Sequence, residues 1–377
     1  MTLASVITER LEERARYPLL TDIFPSVYRA LGADIPRTAL DDQLAFDHPT
    51  SICVVLIDGM GHRLIGETVG HTPFLRSIRG DIIEARTVVP STTAAAITSL
   101  ATGASPGQTR MVGWSVKDHD DLTVLLSFDG SSQPPELWQP HITLFERGNL
   151  EWGIESVRVL TEKFAHSGLT RAALRGAVHV SAETWDKRIT AALDQMRAGI
   201  PVVYLYWSEL DHVGHGHGWT SSQWTEELER VDAGLARLAR ECPADCAIVV
   251  TADHGMVDTS AQYRIDIADH PCLTEGLDMI AGEGRSVHIH CEANRYDLLD
   301  TWESFIGERG TIVRRGDLAE VLGGRAGADL VGDGLLLMHD NWVCVDSRVQ
   351  SEGMVNLIGV HGSISEDEMA IPIIRIA

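Results

Sequence analysis

The sequence predicts an α/β protein: a mostly parallel central sheet sandwiched by helices, with a small α+β lobe inserted late in the chain. Three observations carry this expectation. Short β-branched and aliphatic runs without polar alternation recur at residues 51–57, 81–89, 201–207 and 246–251, the pattern of strands buried on both faces. Segments of helical period, such as 182–198 and 224–240, stand between them. Polar residues follow the runs, with Asp58 after SICVVLI, Thr93 after TVVP, Asp211 shortly after PVVYLYW and Asp253 after AIVVTA. Open α/β sheets hold their ligands at those carboxyl ends.

Taken in order, residues 1–18 read as an amphipathic helix of mixed charge without the basic start, apolar middle and cleavage site of a secretory signal, so a cytoplasmic protein is expected. The catalytic core is expected over 1–265 and 345–377, with the lobe at 266–344. The lobe reads as an alternating strand RSVHIHC, a helix around 296–305, a strand GTIVRR and a hairpin-like pair, LLLMH and WVCVD, around Asp340 and Asn341. Residues 323–334, rich in Gly and Asp, read as an exposed loop. Six scattered cysteines without CxxC spacing suggest buried free thiols rather than a disulfide frame or a cysteine zinc knot. The net charge of −23 disfavours a nucleic-acid polymer or an anionic membrane as partner, and no apolar stretch approaches the roughly 20 residues that span a bilayer. An anionic substrate would need local help, which metal ions can supply.

Asp253 and His254 are neighbours, so both reach one site only where the strand breaks, and Gly255 favours that break. Asp211 and His215, in DHVGHGHG, have i,i+4 spacing, close enough to meet on a helix or in a tight loop, and the glycines favour the loop. His361 precedes Gly362. Singly, each has an ordinary structural reading as a helix cap or loop residue. Together they form mixed carboxylate–imidazole sets, which suit zinc first and manganese or iron second. In PSTTAAAITSLATG, Ser91 or Thr92 is an ordinary N-cap, but a hydroxyl at a helix N-terminus, such as Thr93, is also placed for phosphoryl chemistry, because free amides face the developing anion.

The strings VVLIDGMG, PSTTAAAITSLATG, YLYWSELDHVGHGHG, VVTADHGM and GVHGS, spanning residues 51–365, resemble the alkaline phosphatase superfamily and most closely its nucleotide pyrophosphatase/phosphodiesterase branch. The resemblance implies an alkaline-phosphatase-like core and two divalent cations, one held by Asp211, His215 and His361, the other by Asp58, Asp253, His254 and the Thr93 oxygen. It also implies Thr93 as nucleophile, a phosphothreonine intermediate, and a small phosphoester substrate such as a nucleotide.

This chain departs from the branch at Ala94 and Ala96, where an aromatic residue and an oxyanion-donating Asn are usual. Arg110 is the candidate replacement donor, and Tyr206 matches a nucleobase-stacking position. His288 and His290 read as lobe-core residues, His217 as an alternative to His215, and His62 as a partner for Asp58. A phosphomonoesterase or phosphonoacetate-type hydrolase built on the same site is the alternative enzyme. A metal-binding scaffold without turnover is the alternative of another class.

Overall fold

The computed structural model describes residues 16–295 and 297–376; the helix expected at the N-terminus lies outside the described residues. The apolar runs form a seven-stranded sheet of β1 (Ser51–Ile57), β2 (Ile82–Arg86), β3 (Ser156–Leu160), β4 (Val178–Ser181), β5 (Val202–Trp207), β6 (Cys246–Thr251) and β7 (Ala370–Ile376). Their order is β2-β7-β6-β1-β5-β3-β4. Every residue of β1, β5 and β6 is buried, which explains why these strands do not alternate. β7 runs antiparallel to both neighbours, while the β6, β1, β5, β3 and β4 pairings are parallel.

Helices cover the sheet. In α2 (Trp185–Arg197) the buried residues Ile189, Ala192, Leu193 and Met196 recur at helical spacing, the stripe of a helix docked on one side. The Thr184 side chain caps its first turn, and Ser221 does the same for α4 (Ser222–Glu241). Two further helices matter for the site: α1 (Thr93–Thr102) follows β2, and α3 (Glu209–His217) follows β5.

The topology explains how distant residues converge. The central strands β6, β1 and β5 are neighbours, so chain leaving their carboxyl ends emerges about 5 Å apart. The segment before β7 arrives at the same edge because that strand enters in the opposite sense.

A second, antiparallel sheet lies between β6 and β7 in sequence, with strands Leu277–Glu283, Ser286–Cys291, Gly334–Met338 and Gly310–Arg314 side by side in that order. A helix at Leu298–Ile306 packs its fully buried Trp302 into this lobe, and the indole N–H donates to the Leu273 carbonyl at 3.1 Å.

Two expectations here are corrected. LLLMH and WVCVD do not form a hairpin. Gly334–Met338 has both edges taken by its sheet neighbours, so Val343–Val345 leaves and pairs in parallel with Arg264–Asp266. The stretch 323–334 is not a simple exposed loop. Gly327, Ala328, Val331 and Gly332 are buried, and the turn at Gly323–Gly324 docks on Pro106–Thr109 through Ser105 Oγ donating to the Gly323 carbonyl (2.7 Å) and Gly107 N–H donating to the Leu322 carbonyl (2.8 Å).

A Cβ on Gly107 would lie 2.4 Å from backbone atoms of Gly324, and backbone has little room to yield. Gly107→Ala is expected to destabilise the fold by about 1–3 kcal/mol. The check is a lower denaturant midpoint at unchanged slope.

Candidate active site

All seven sequence-predicted ligand and nucleophile residues converge on one edge of the central sheet. Asp58 begins where β1 ends, its N–H donating to the Trp207 carbonyl of β5 at 2.9 Å. Gly59 follows at φ +73°, with its Cα edge so close to Asp211 that an added Cβ would lie 3.1 Å from the Asp211 Cβ. Asp253 Oδ1 accepts the N–H groups of Gly59 (3.2 Å) and His254 (3.1 Å). Thr93 is the first residue of α1, and its Oγ1 lies 3.2 Å from His254 Nε2. Asp211 and His215 lie one turn apart on α3, with Oδ2 to Nε2 at 3.1 Å. A helix therefore replaces the loop expected from the glycines. Gly214 is tolerated there because an added Cβ would meet Met256 Sδ at 2.5 Å.

The imidazoles share one arrangement. His215 Nδ1–H donates to the Gly359 carbonyl (2.8 Å), His254 Nδ1–H to the Gly255 carbonyl (2.9 Å) and His361 Nδ1–H to the Ser91 carbonyl (2.9 Å). A carbonyl can only accept, so each ring donates through Nδ1 and turns Nε2 toward the carboxylates, where it can bind a proton or, without one, offer a lone pair. Such backbone partners orient metal-ligating histidines. On the carboxylate side, Asp58 Oδ1, Asp211 Oδ1 and Asp253 Oδ2 are buried and have no hydrogen-bond partner. Buried carboxylate oxygens without donors, facing imidazole lone pairs, fit divalent cations.

Two groups of ligand atoms lie within 4.8 Å of one another: Asp211, His215 and His361, and Asp58, Asp211 and His254. The first is the set that the sequence suggested. In the second, Asp211 stands where Asp253 was expected, because one Asp253 oxygen is held by two backbone amides; its other oxygen lies 3.5 Å from His254 Nε2.

The electrostatics express the crowding. Burial, then repulsion from Asp253 and Asp211, raises the Asp58 pKa well above the usual carboxylate range, against the hydrogen bond from Tyr206. Burial raises Asp253 as well. Asp211 goes the other way: burial opposes ionisation, but His215, His361 and His254 outweigh it. His215 is pushed up to about 9 despite burial, chiefly by Asp211, whereas burial and His254 hold His361 well below its ordinary value.

The remaining candidates have the following surroundings. Tyr206, expected to stack a nucleobase, lines the cavity while largely buried, and its hydroxyl donates to Asp58 Oδ2, so it also orients a carboxylate. The Arg110 guanidinium, the candidate replacement for the Asn missing at Ala96, lies over the Trp138 ring, 4.8 Å from its centroid, and is not among the residues lining the cavity. Ala94 and Ala96 are fully buried. His62 faces Glu84 at 4.0 Å, and His217 is exposed at the end of α3. His288 Nε2–H donates to the Val112 carbonyl of the core at 3.0 Å, and neither it nor His290 belongs to a ligand group among the described residues.

A cavity of about 500 Å³ opens from Thr93, Asp211 and His361, within the range of small-molecule sites. Leu126, Leu160, Phe164 and Leu169 line one part of it and Val343 and Leu357 another, and among the described residues Lys163 is its one lysine or arginine. Sequence reading missed Lys163 and Glu283. Glu283 ends the first lobe strand and reaches 3.8 Å from His361 Nδ1, with hydrogen bonds from Ser286 Oγ (3.3 Å) and the Thr92 side chain. No motif surrounds it; only the fold carries it to the site.

With the geometry in place, fold and site define a hydrolase of the alkaline phosphatase superfamily, acting on phosphoric ester or anhydride bonds. The chain belongs to the type I phosphodiesterase / nucleotide pyrophosphatase family, whose description matches residues 52–363. Murine ectonucleotide pyrophosphatase/phosphodiesterase 5 is similar in structure, with 16% identity over 86% of this chain and 87% of that one and a TM-score of 0.70. An inactive variant of the same murine protein in complex with AMP matches at 15% identity, the same coverage of both chains and a TM-score of 0.70. Phosphonoacetate hydrolase from Sinorhizobium meliloti 1021, in complex with phosphonoformate, matches at 19% identity over 87% and 90% of the chains with a TM-score of 0.67. At these identities the likeness is one of fold. No curated protein matches the chain.

Burial pushes the Glu283 pKa up to about 8, from an ordinary value near 4.5. A carboxyl that binds its proton more tightly when folded contributes stability that is lost as pH rises toward its folded pKa, and His215, raised from 6.5 to about 9, has the same sign above pH 6.5. The melting temperature of the metal-stripped protein is therefore expected to fall between pH 6.5 and 8, and less steeply in Glu283→Gln. Calorimetry across that range checks it; a slope unchanged by the substitution removes Glu283 from the explanation.

Proposed function

We propose that the chain is a two-metal phosphodiesterase, with zinc the first expectation and manganese or iron next, that hydrolyses small phosphodiesters through Thr93. One observation carries the reading: three imidazoles give their Nδ1–H groups to backbone carbonyls and face three buried carboxylates whose free oxygens have no donor, beside the Thr93 hydroxyl. Asp211, His215 and His361 would hold one ion, and Asp58, Asp253 and His254 the other, with Asp211 near both. Bound dications supply charge neutralisation and lower the pKa of a nearby hydroxyl.

The protein's own groups then do the following. Thr93 Oγ1 attacks phosphorus as its proton passes to solvent, and the bond to the leaving oxygen breaks to give a phosphothreonine ester and an alcohol that takes up a proton from solvent. Water, entering on the opposite side, cleaves that ester and restores the hydroxyl. The first-turn amides of α1 have no carbonyl partner within the helix, so they can receive charge developing on the non-bridging oxygens in place of the absent Asn. Tyr206 holds Asp58 in place throughout.

Phosphonate hydrolysis is the second reading, favoured by Lys163, whose ammonium could pair a further anionic group. A panel of bis(p-nitrophenyl) phosphate, p-nitrophenyl phosphate and phosphonoacetate separates the two. Diester turnover at least tenfold above the others supports the first, and dominant phosphonate turnover that Lys163→Ala abolishes supports the second.

Thr93→Ala is expected to lower kcat for the diester by roughly 10³-fold or more, since removal of an attacking group leaves only binding and electrostatic terms. Residual turnover above a tenth of wild type would remove Thr93 as nucleophile. Chelation should abolish turnover and added zinc should restore it, whereas activity that survives exhaustive chelation argues against the metal reading.

A further inference from the structure

The turn that joins the first two strands of the four-stranded sheet places Arg285 in the interior, fully buried. Its donors are all engaged: Nε and Nη2 reach the Glu368 carboxylate at 3.1 and 2.6 Å, and Nη1 reaches the carbonyls of His339 (3.3 Å), Asp340 (2.7 Å) and Trp342 (2.7 Å). Glu368, equally buried, lies on the short helix Glu366–Met369 that leads into β7. A buried ion pair of this kind returns little net stability compared with apolar residues of the same volume. Its use lies in what it orients.

The hydrogen bonds run from this pair to the site. Glu368 Oε1 accepts the Ser363 N–H at 2.9 Å, and Oε2 accepts from Ser365. Ser91 Oγ–H donates to the Ser363 carbonyl (2.7 Å) and accepts the Gly362 N–H (3.2 Å), while Ser91 N–H donates to the Gly362 carbonyl (3.2 Å). The Ser91 carbonyl accepts the Nδ1–H of His361. Ser91 stands two residues before Thr93. A continuous path thus joins the lobe to one imidazole of the Asp211, His215 and His361 group and to the segment that carries the nucleophile.

The other ligands are oriented differently. Asp58 is held by Tyr206, Asp253 by the amides of Gly59 and His254, and His254 by the Gly255 carbonyl. None of those contacts uses a side chain of the Arg285–Glu368 pair; Glu368 meets the second group only through its backbone carbonyl, which accepts the Gly255 N–H at 2.9 Å and which a side-chain substitution leaves in place.

We propose that Arg285 and Glu368 are positioning residues that set His361 Nε2 for the cation it shares with Asp211 and His215, and that Ser91 relays this setting to Thr93. The inference rests on the two-cation reading of the site. It predicts a selective effect: weakening the path loosens one ion and spares the other. A general loosening of the fold would affect both.

The test is zinc titration by competition with a chromophoric chelator, and the visible spectrum of the cobalt-loaded protein, for wild type, Arg285→Lys, Glu368→Gln and Ser91→Ala. Lysine cannot reproduce the guanidinium fork, and Ser91→Ala removes both Oγ bonds of the path with the ion pair intact, so it decides the matter if the other two fail to fold. The expected result is one ion weakened about 10–100-fold, the usual effect of removing a group behind a ligand, with the second ion within threefold and one cobalt band altered. Wild-type affinity for both ions in the folded variants overturns the proposal, as does equal weakening of both. A wild-type protein that binds no zinc in the same titration overturns the underlying metal reading instead.

Discussion

Three largely buried carboxylates, Asp58, Asp211 and Asp253, meet at one point, and most of the site follows from that. Like charges at this range repel strongly where the dielectric is low, and burial together with mutual repulsion pushes Asp58 well above its ordinary pKa. Among the described residues no guanidinium or ammonium pairs with these three groups: their ion-pair partners there are His215, His254 and His361. Those histidines do not supply a proton through Nδ1, since each gives that one to a backbone carbonyl. The constellation is built for positive charge from outside.

The fold meets this constraint by convergence at one sheet edge. β6, β1 and β5 are adjacent and parallel, so each delivers a carboxylate at the same level. The antiparallel course of β7 explains why a ligand as late as His361 arrives with the others. The lobe is no mere lid on this arrangement, because Glu283 enters the cavity wall and Arg285 reaches the loop behind His361.

Sequence legibility followed the range of the forces involved. The strands of the central sheet were readable because burial on both faces leaves an unbroken apolar run, and the convergence of the candidate ligands because most of them follow those runs closely. The Asp211 to His215 segment was misread as a loop: glycine propensity is local, whereas the docking of Gly214 against Met256 that keeps the helix is tertiary. The supposed hairpin failed for the same reason, since the partners of Gly334–Met338 come from 286–291 and 310–314 rather than from the next strand. Arg110 and Tyr206 were assigned by position alone, and their side chains answer to Trp138 and Asp58. Glu283 and Arg285 could not have been singled out, because nothing in AGEGRSVH marks which residues a distant loop will meet.

Charge also bears on which ester suits the proposed two-cation state. Two dications set against Asp58, Asp211 and Asp253 leave one net positive charge, which a phosphodiester monoanion neutralises. A dianionic monoester or a phosphonate with a further carboxylate leaves an excess of negative charge around the ions unless Lys163, the one lysine or arginine among the described residues lining this largely apolar cavity, offsets it. Glu283 also faces that cavity, and any ionisation of it deepens the excess. Because unpaired charge is costly where water is excluded, the side chains around the metal ligands, more than the ligands themselves, favour the singly charged ester.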